Sequence, residues 1–145
     1  MRVEKIYFNA EDGTELFGLL HTSENRNDKD VVISTHGIGS NCFKKREDII
    51  AQKLTSNNIA FFTFNNRGNG IVNGVKSNGE KILQGTVFEN VEDSYYDIVG
   101  VIKLMINKGY KNIHMQGHSL GSTKTVYTYN KLIENGEQEL LNKIK

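Results

Sequence analysis

Gly117-His118-Ser119-Leu120-Gly121 is a G-x-S-x-G pentapeptide set directly after a short alternating run, Ile113-His114-Met115-Gln116. That run has the period of a strand, and the residues from Leu120 to Tyr127 can start a helix. A serine at so sharp a strand-to-helix turn must take a strained backbone conformation. Side chains two residues before and after it would collide, which favours glycine at 117 and 121. The turn lifts the Ser119 hydroxyl above the end of the sheet. The N–H of Leu120 then points, with the helix N-terminus, at negative charge forming on an attacked carbonyl. The chemistry is nucleophilic attack by Ser119. His118 diverges from its neighbour's hydroxyl on so tight a turn, and its expected part is structural.

A second stretch, Val31-Val32-Ile33-Ser34-Thr35-His36-Gly37-Ile38-Gly39, runs from a buried-strand pattern into a glycine-containing loop. Gly37 and Gly39 permit a tight turn there. The N–H of Ile38 is the candidate second oxyanion donor, and His36 is expected to hold the loop by hydrogen bonds. One such donor is typically worth ~10²–10³ in rate. A third stretch, Ile59 to Asn65, reads as a strand that ends in the turn Asn66-Arg67-Gly68-Asn69-Gly70.

With the loop at His36-Gly37-Ile38, the turn at Arg67-Gly68-Asn69-Gly70 and the pentapeptide at 117–121, in that order, the chain resembles the α/β-hydrolase superfamily over about residues 3 to 135. Asn41-Cys42-Phe43 and Phe64 to Gly68 are also similar to a branch that includes siderophore esterases. The resemblance implies a serine hydrolase of the carboxylesterase type, acting on an ester, thioester or amide. In that fold the acid and the histidine of the triad follow the serine. After Ser119 this chain has no His and no Asp, and Glu134, Glu137 and Glu139 lie at or beyond the far end of the elbow helix. The expectation is a single domain, 1–145, incomplete at its C-terminus. It is expected to be weakly active or inactive alone, and to be complemented by a second polypeptide. The rival reading is a non-catalytic binding module.

The elements that must position these groups follow from periodicity. Strands are expected at 3–9 and 15–22, paired antiparallel through the turn at Glu11-Asp12-Gly13. Glu24 to Asp30 reads as a polar loop. A strand at 31–35, a helix at 43–57 and a strand at 59–65 make a right-handed crossover unit. Residues 66–87 read as a long glycine-containing loop. A helix at 88–107, a strand at 112–116, a helix at about 120–134 ended by Gly136, and a helical tail at 137–144 complete the pattern. This alternation implies a mostly parallel α/β sheet with helices on both faces, lacking its C-terminal strands. Strand 112–116 would then be an open edge that invites self-association.

Composition excludes several classes. The chain has 145 residues, 37% apolar, with 18 basic and 17 acidic residues and a net charge of +1. No basic stripe suggests nucleic acid. No run approaches the ~20 apolar residues of a membrane span, and no signal peptide is expected ahead of the first strand. Cys42 is the single cysteine, so no intrachain disulfide forms. It reads as a small buried side chain, with a cysteine-dependent enzyme as a remote alternative. A cytoplasmic protein is expected. The four histidines are too scattered for a metal-site spacing, so neither metal nor cofactor is expected. His114 reads as a packed strand residue and His21 as exposed. Asp93 and Asp97 read as part of a solvated acidic helix face, and Arg67 as a tie between loops.

Overall fold

The computed structural model describes residues 1–25 and 28–145. The alternation at the start of the chain closes into an antiparallel pair, β1 (Arg2–Asn9) and β2 (Glu15–Thr22), with Arg2 opposite Thr22 and Asn9 opposite Glu15. Next in sequence come β3 (Asp30–Thr35) and β4 (Ile59–Asn65). β4 is buried along almost its whole length, as a string of Phe and Ala predicts for a strand covered on both faces. It lies antiparallel to β2 and parallel to β3. After the hairpin β5 (Asn73–Ser77) and β6 (Glu80–Gln84), β7 (Asn112–Gly117) adds parallel to β3. The main sheet therefore runs β1-β2-β4-β3-β7.

Three helices cover it. α1 (Lys45–Thr55) packs against β2 and β4, whereas α2 (Ser94–Asn107) and α3 (Leu120–Glu134) pack against each other and the sheet. Alternation along β4 splits its side chains between the two faces. Phe62 and Phe64 join Ile33, Ile98, Ile102, Met105, Ile113 and Leu132 in one core. Phe61 faces the other way, beside His21. Gly109 (φ +93°) and Gly136 (φ +68°) follow the ends of α2 and α3 in the left-handed conformation that glycine adopts without strain.

Four stretches differ from the sequence expectation. Residues 66–87 are not structureless: Asn78-Gly79, both at positive φ, turns a two-stranded hairpin whose rungs pair Asn73 with Gln84 and Ser77 with Glu80. A 3-10 turn follows at Thr86–Phe88. α2 begins at Ser94, not 88, because Glu89 turns inward to meet Lys124 and the chain from Val91 to Asp93 makes a separate turn. The tail is helical only in α4 (Gln138–Leu141). Beyond it the chain extends along β7: the N–H of Ile113 donates to Lys143 O at 2.8 Å, and the N–H of Lys145 donates to Ile113 O at 3.0 Å. The edge expected to be open is thus closed at Ile113, and Leu140 and Ile144 pack on the core. Within the loop from Glu24 to Asp30, Arg26 and Asn27 lie outside the described residues. Among the described residues no helix is long and apolar enough to cross a membrane.

Candidate active site

β7 leaves the sheet at Gly117, and α3 starts at Leu120. The link between them is short enough to force Ser119 to φ 54° and ψ −127°. A non-glycine residue there costs of order 1–3 kcal/mol. The local packing fixes the residue types on either side. A Cβ at Gly117 would lie 2.3 Å from Gly121 O, and one at Gly121 would lie 2.1 Å from Thr35 O. No side chain fits at either position. His118 is exposed and donates its N–H to Thr35 O at 3.1 Å, while Ser122 Oγ donates to Gly117 O at 2.9 Å. Ser119 itself is exposed.

The loop after β3 lies against this turn. A Cβ at Gly37 would be 2.9 Å from His118 O, 3.0 Å from Ser119 Cβ and 3.4 Å from Ser119 Oγ. Sequence reading placed Gly37 and Ser119 in one site, and they are in contact. Ile38 is exposed next to Gly37. None of the described hydrogen bonds uses the N–H of Ile38 or of Leu120.

His36 holds this loop from beneath. It is buried. Its Nε2 accepts the N–H of Asn66 at 3.2 Å, so the ring proton is on Nδ1, which donates to Gly37 O at 2.8 Å. Burial drives its pKa down to about 4; the bond to Gly37 opposes the shift and the charge of Lys124 adds to it. With both nitrogens engaged and the ring neutral, His36 cannot serve Ser119 as a base.

Sequence reading missed the groups that surround it. Asn66 Nδ2 donates to His36 O at 3.3 Å, while Asn66 Oδ1 accepts Gly68 N–H at 3.0 Å and Lys124 Nζ at 3.3 Å. Lys124, almost fully buried on α3, pairs with Glu89. A lysine between polar residues on an exposed-looking helix gives no sign of burial; its partner is 35 positions away in sequence. Arg67 ties loops as expected, but through Asp97, which is not solvated: it is fully buried. Arg67 Nε and Nη2 donate to Asp97 Oδ1 at 2.9 and 2.7 Å, and the backbone N–H donates to Oδ2 at 2.9 Å. Arg67 Nη2 also reaches Asp12 at 2.9 Å. Burial opposes the charge on Arg67, but Asp97 and Asp12 outweigh it and raise the guanidinium above its usual range.

The remaining candidates fall away from Ser119. His21 is buried, not exposed, because β2 continues under α1; neither ring nitrogen has a described partner, and burial lowers its pKa. His114 is half-exposed on β7 and meets Asp30 at 3.3 Å. Cys42 is buried, as expected, and burial pushes its thiol up to about 12, which leaves no thiolate for chemistry. Glu137 accepts from Tyr95 at the far end of α3. No described hydrogen bond links Ser119 Oγ to a His, Asp or Glu. Among the described residues no group of three His, Cys, Asp or Glu side chains is placed to hold a metal ion.

No family model and no curated protein matches the chain. Solved structures do. An esterase of Pyrococcus furiosus superposes with a TM-score of 0.68 at 19% identity, over 92% of this chain and 48% of its own. Est1E from Butyrivibrio proteoclasticus, solved with ferulic acid bound, gives 0.69 at 17%, over 89% and 48%. The α/β-hydrolase GrgF from Penicillium sp. sh18 gives 0.69 at 15%, over 88% and 41%. This chain has the α/β-hydrolase fold, with a mostly parallel central sheet, and spans about half the length of the structures that it matches.

Proposed function

We propose that Ser119 is the nucleophile of a hydrolase that acts by acyl transfer on a small-molecule ester, thioester or amide. The observation that carries this reading is the strained, exposed Ser119 with Gly37 packed against it. A residue with no task would not be held at that φ and ψ, where glycine would sit without strain. Ser119 Oγ attacks the carbonyl carbon and gives up its proton. The N–H groups of Leu120 and Ile38 hold the oxyanion. The alcohol, thiol or amine leaves with a proton, and water then cleaves the acyl-enzyme and restores the hydroxyl. Gly117, Gly121, His118, His36 and Gly37 shape the turn and the loop.

A serine without a base is a weak nucleophile. In this reading residues 1–145 are one α/β-hydrolase domain, and the base and acid come from a complementing polypeptide. The β7 edge beyond Ile113 and the exposed Val126 and Ile133 of α3 are the surfaces where it packs. One observation favours the second reading, a non-catalytic binding module: none of the described acids or histidines is hydrogen-bonded to Ser119.

A serine-directed fluorophosphonate and a p-nitrophenyl ester separate the two. The catalytic reading expects slow labelling and slow hydrolysis by the chain alone, at the ~10³–10⁴ residual acceleration of an oxyanion hole without a triad. Both are lost in Ser119→Ala. Labelling that survives Ser119→Ala rejects Ser119 as the nucleophile. Neither labelling nor hydrolysis leaves the binding module.

A further inference from the structure

Between β2 and the β5–β6 hairpin lies a cavity of about 510 Å³ that Ser119 does not line. Small-molecule sites have volumes of about 300–1,000 Å³, with apolar walls and a few polar groups. We propose that this groove binds a small organic anion with an aromatic body, independently of any reaction at Ser119.

Three features of the walls point the same way. The first is aromatic. Tyr7 and Phe17 line the groove from neighbouring strands, with ring centroids 5.8 Å apart. Tyr7 is 70% exposed, an aromatic surface left in water where a flat ligand would cover it. Val75 adds apolar surface from the hairpin.

The second is charge. Lys76 and Lys81 stand directly opposite each other on the hairpin, and both line the groove. Like charges at one rung are unfavourable. Neither lysine forms a described ion pair. Glu15 is the one carboxylate of the lining, which leaves the groove net positive. Lys5, over the rings of Tyr7 and Phe17 at 4.7 and 4.4 Å, adds to that field. The missing side chain of Gly74 matters too: a Cβ there would be 3.1 Å from Lys81 Cε, so glycine gives the lysine stem room to lie across β5.

The third is a spare donor. Asn65 lines the groove but is only 6% exposed. Its Oδ1 accepts the N–H of Cys42 at 2.8 Å, and no described hydrogen bond uses its Nδ2. Two ammonium groups and an amide N–H₂ are the donor set of a carboxylate or phosphate site, and the aromatic wall selects the body attached to it.

The test is direct binding, which needs no catalysis. The purified chain is titrated by amide NMR with 2-naphthoate, 2-naphthyl phosphate and the uncharged 2-naphthamide. At least one anion is expected to bind tenfold or more tightly than the amide, with shifts at Tyr7, Phe17, Lys76 and Lys81. The tighter anion distinguishes a carboxylate from a phosphate site. The double variant K76Q/K81Q should bring the anions down to the affinity of the amide, and Ser119→Ala should change nothing. Raising salt to 0.5 M in the wild type gives a second reading that needs no variant: anion binding weakens and amide binding does not. Equal affinity for acid and amide overturns the proposal. So do anion binding that survives K76Q/K81Q, shifts confined to α3, and absence of binding by all three probes.

Discussion

Two turns leave neighbouring parts of the sheet at its C-terminal end, and they are held in opposite ways. The turn after β7 is held by backbone contact: Gly117 touches Gly121, Gly121 touches Thr35, and Ser119 carries the strain. The turn after β4 is held by buried side-chain charge and hydrogen bonds: Arg67 on Asp97, and Asn66 between His36 and Lys124. The first has no room for a side chain, because a Cβ at Gly117 or Gly121 would lie 2.3 or 2.1 Å from a backbone oxygen. The second relies on buried partners that must each keep the protonation state they hold, charged at Arg67 and Asp97 and neutral at His36. A serine placed by the first and a loop braced by the second respond to different perturbations.

The largest expected effect strikes the charged turn. Asp97→Ala leaves buried Arg67 with only the partly exposed Asp12 within hydrogen-bond reach, at a cost of about 3–5 kcal/mol. Urea denaturation measures it; a loss under about 1 kcal/mol would mean that water reaches Arg67 and the pair is not structural. Acid comes next. His36 has a folded pKa of about 4 against an ordinary 6.5. Between those values the unfolded chain binds the proton and the folded chain does not. Stability is therefore complete above pH 6.5 and falls as pH drops toward 4, by on the order of 3 kcal/mol from this group. NMR titration of the His36 ring tests the premise: a midpoint above 6 removes it.

The backbone-held turn gives smaller numbers. Gly121→Ala drives a methyl into Thr35 O, and the helix start must shift, at about 1–3 kcal/mol. Calorimetry reads this as a lower melting temperature, and an unchanged value would show that α3 slides freely. Smallest is a gain. Ser119→Gly relieves the positive φ and should raise stability by about 1 kcal/mol. A loss there would mean that the hydroxyl makes a stabilising contact and the residue is not strained for its task.

The same contrast explains what the sequence disclosed. Gly117, Gly121 and Gly37 are readable because a backbone constraint acts on the residue type at its own position. β2 and β3 are readable because burial alternates along much of their length, β4 because its apolar run is nearly unbroken, and α3 because its helical pattern starts at the glycine-framed turn. The pairs Arg67–Asp97 and Lys124–Glu89 join positions about 30 apart, and nothing local in a single chain announces a partner at that distance. Asp97 sits one turn from other acids, so an acidic surface was the natural reading. His21 was misread because its burial comes from α1 lying over the end of β2. The hairpin at 73–84 was missed for want of length, although Asn78-Gly79 is a turn signal in its own right.

Ile144 beside Ile113 has a consequence for the sheet edge. A sheet edge recruits other chains through consecutive free rungs, and on β7 the rungs that face outward fall on alternate residues. The tail occupies the one at Ile113, and the carbonyl of Gly117 is taken by Ser122. Met115 is left between them as a single vacant rung. The tail therefore limits the stretch of β7 that a strand from outside could pair with to the residues beyond Ile113.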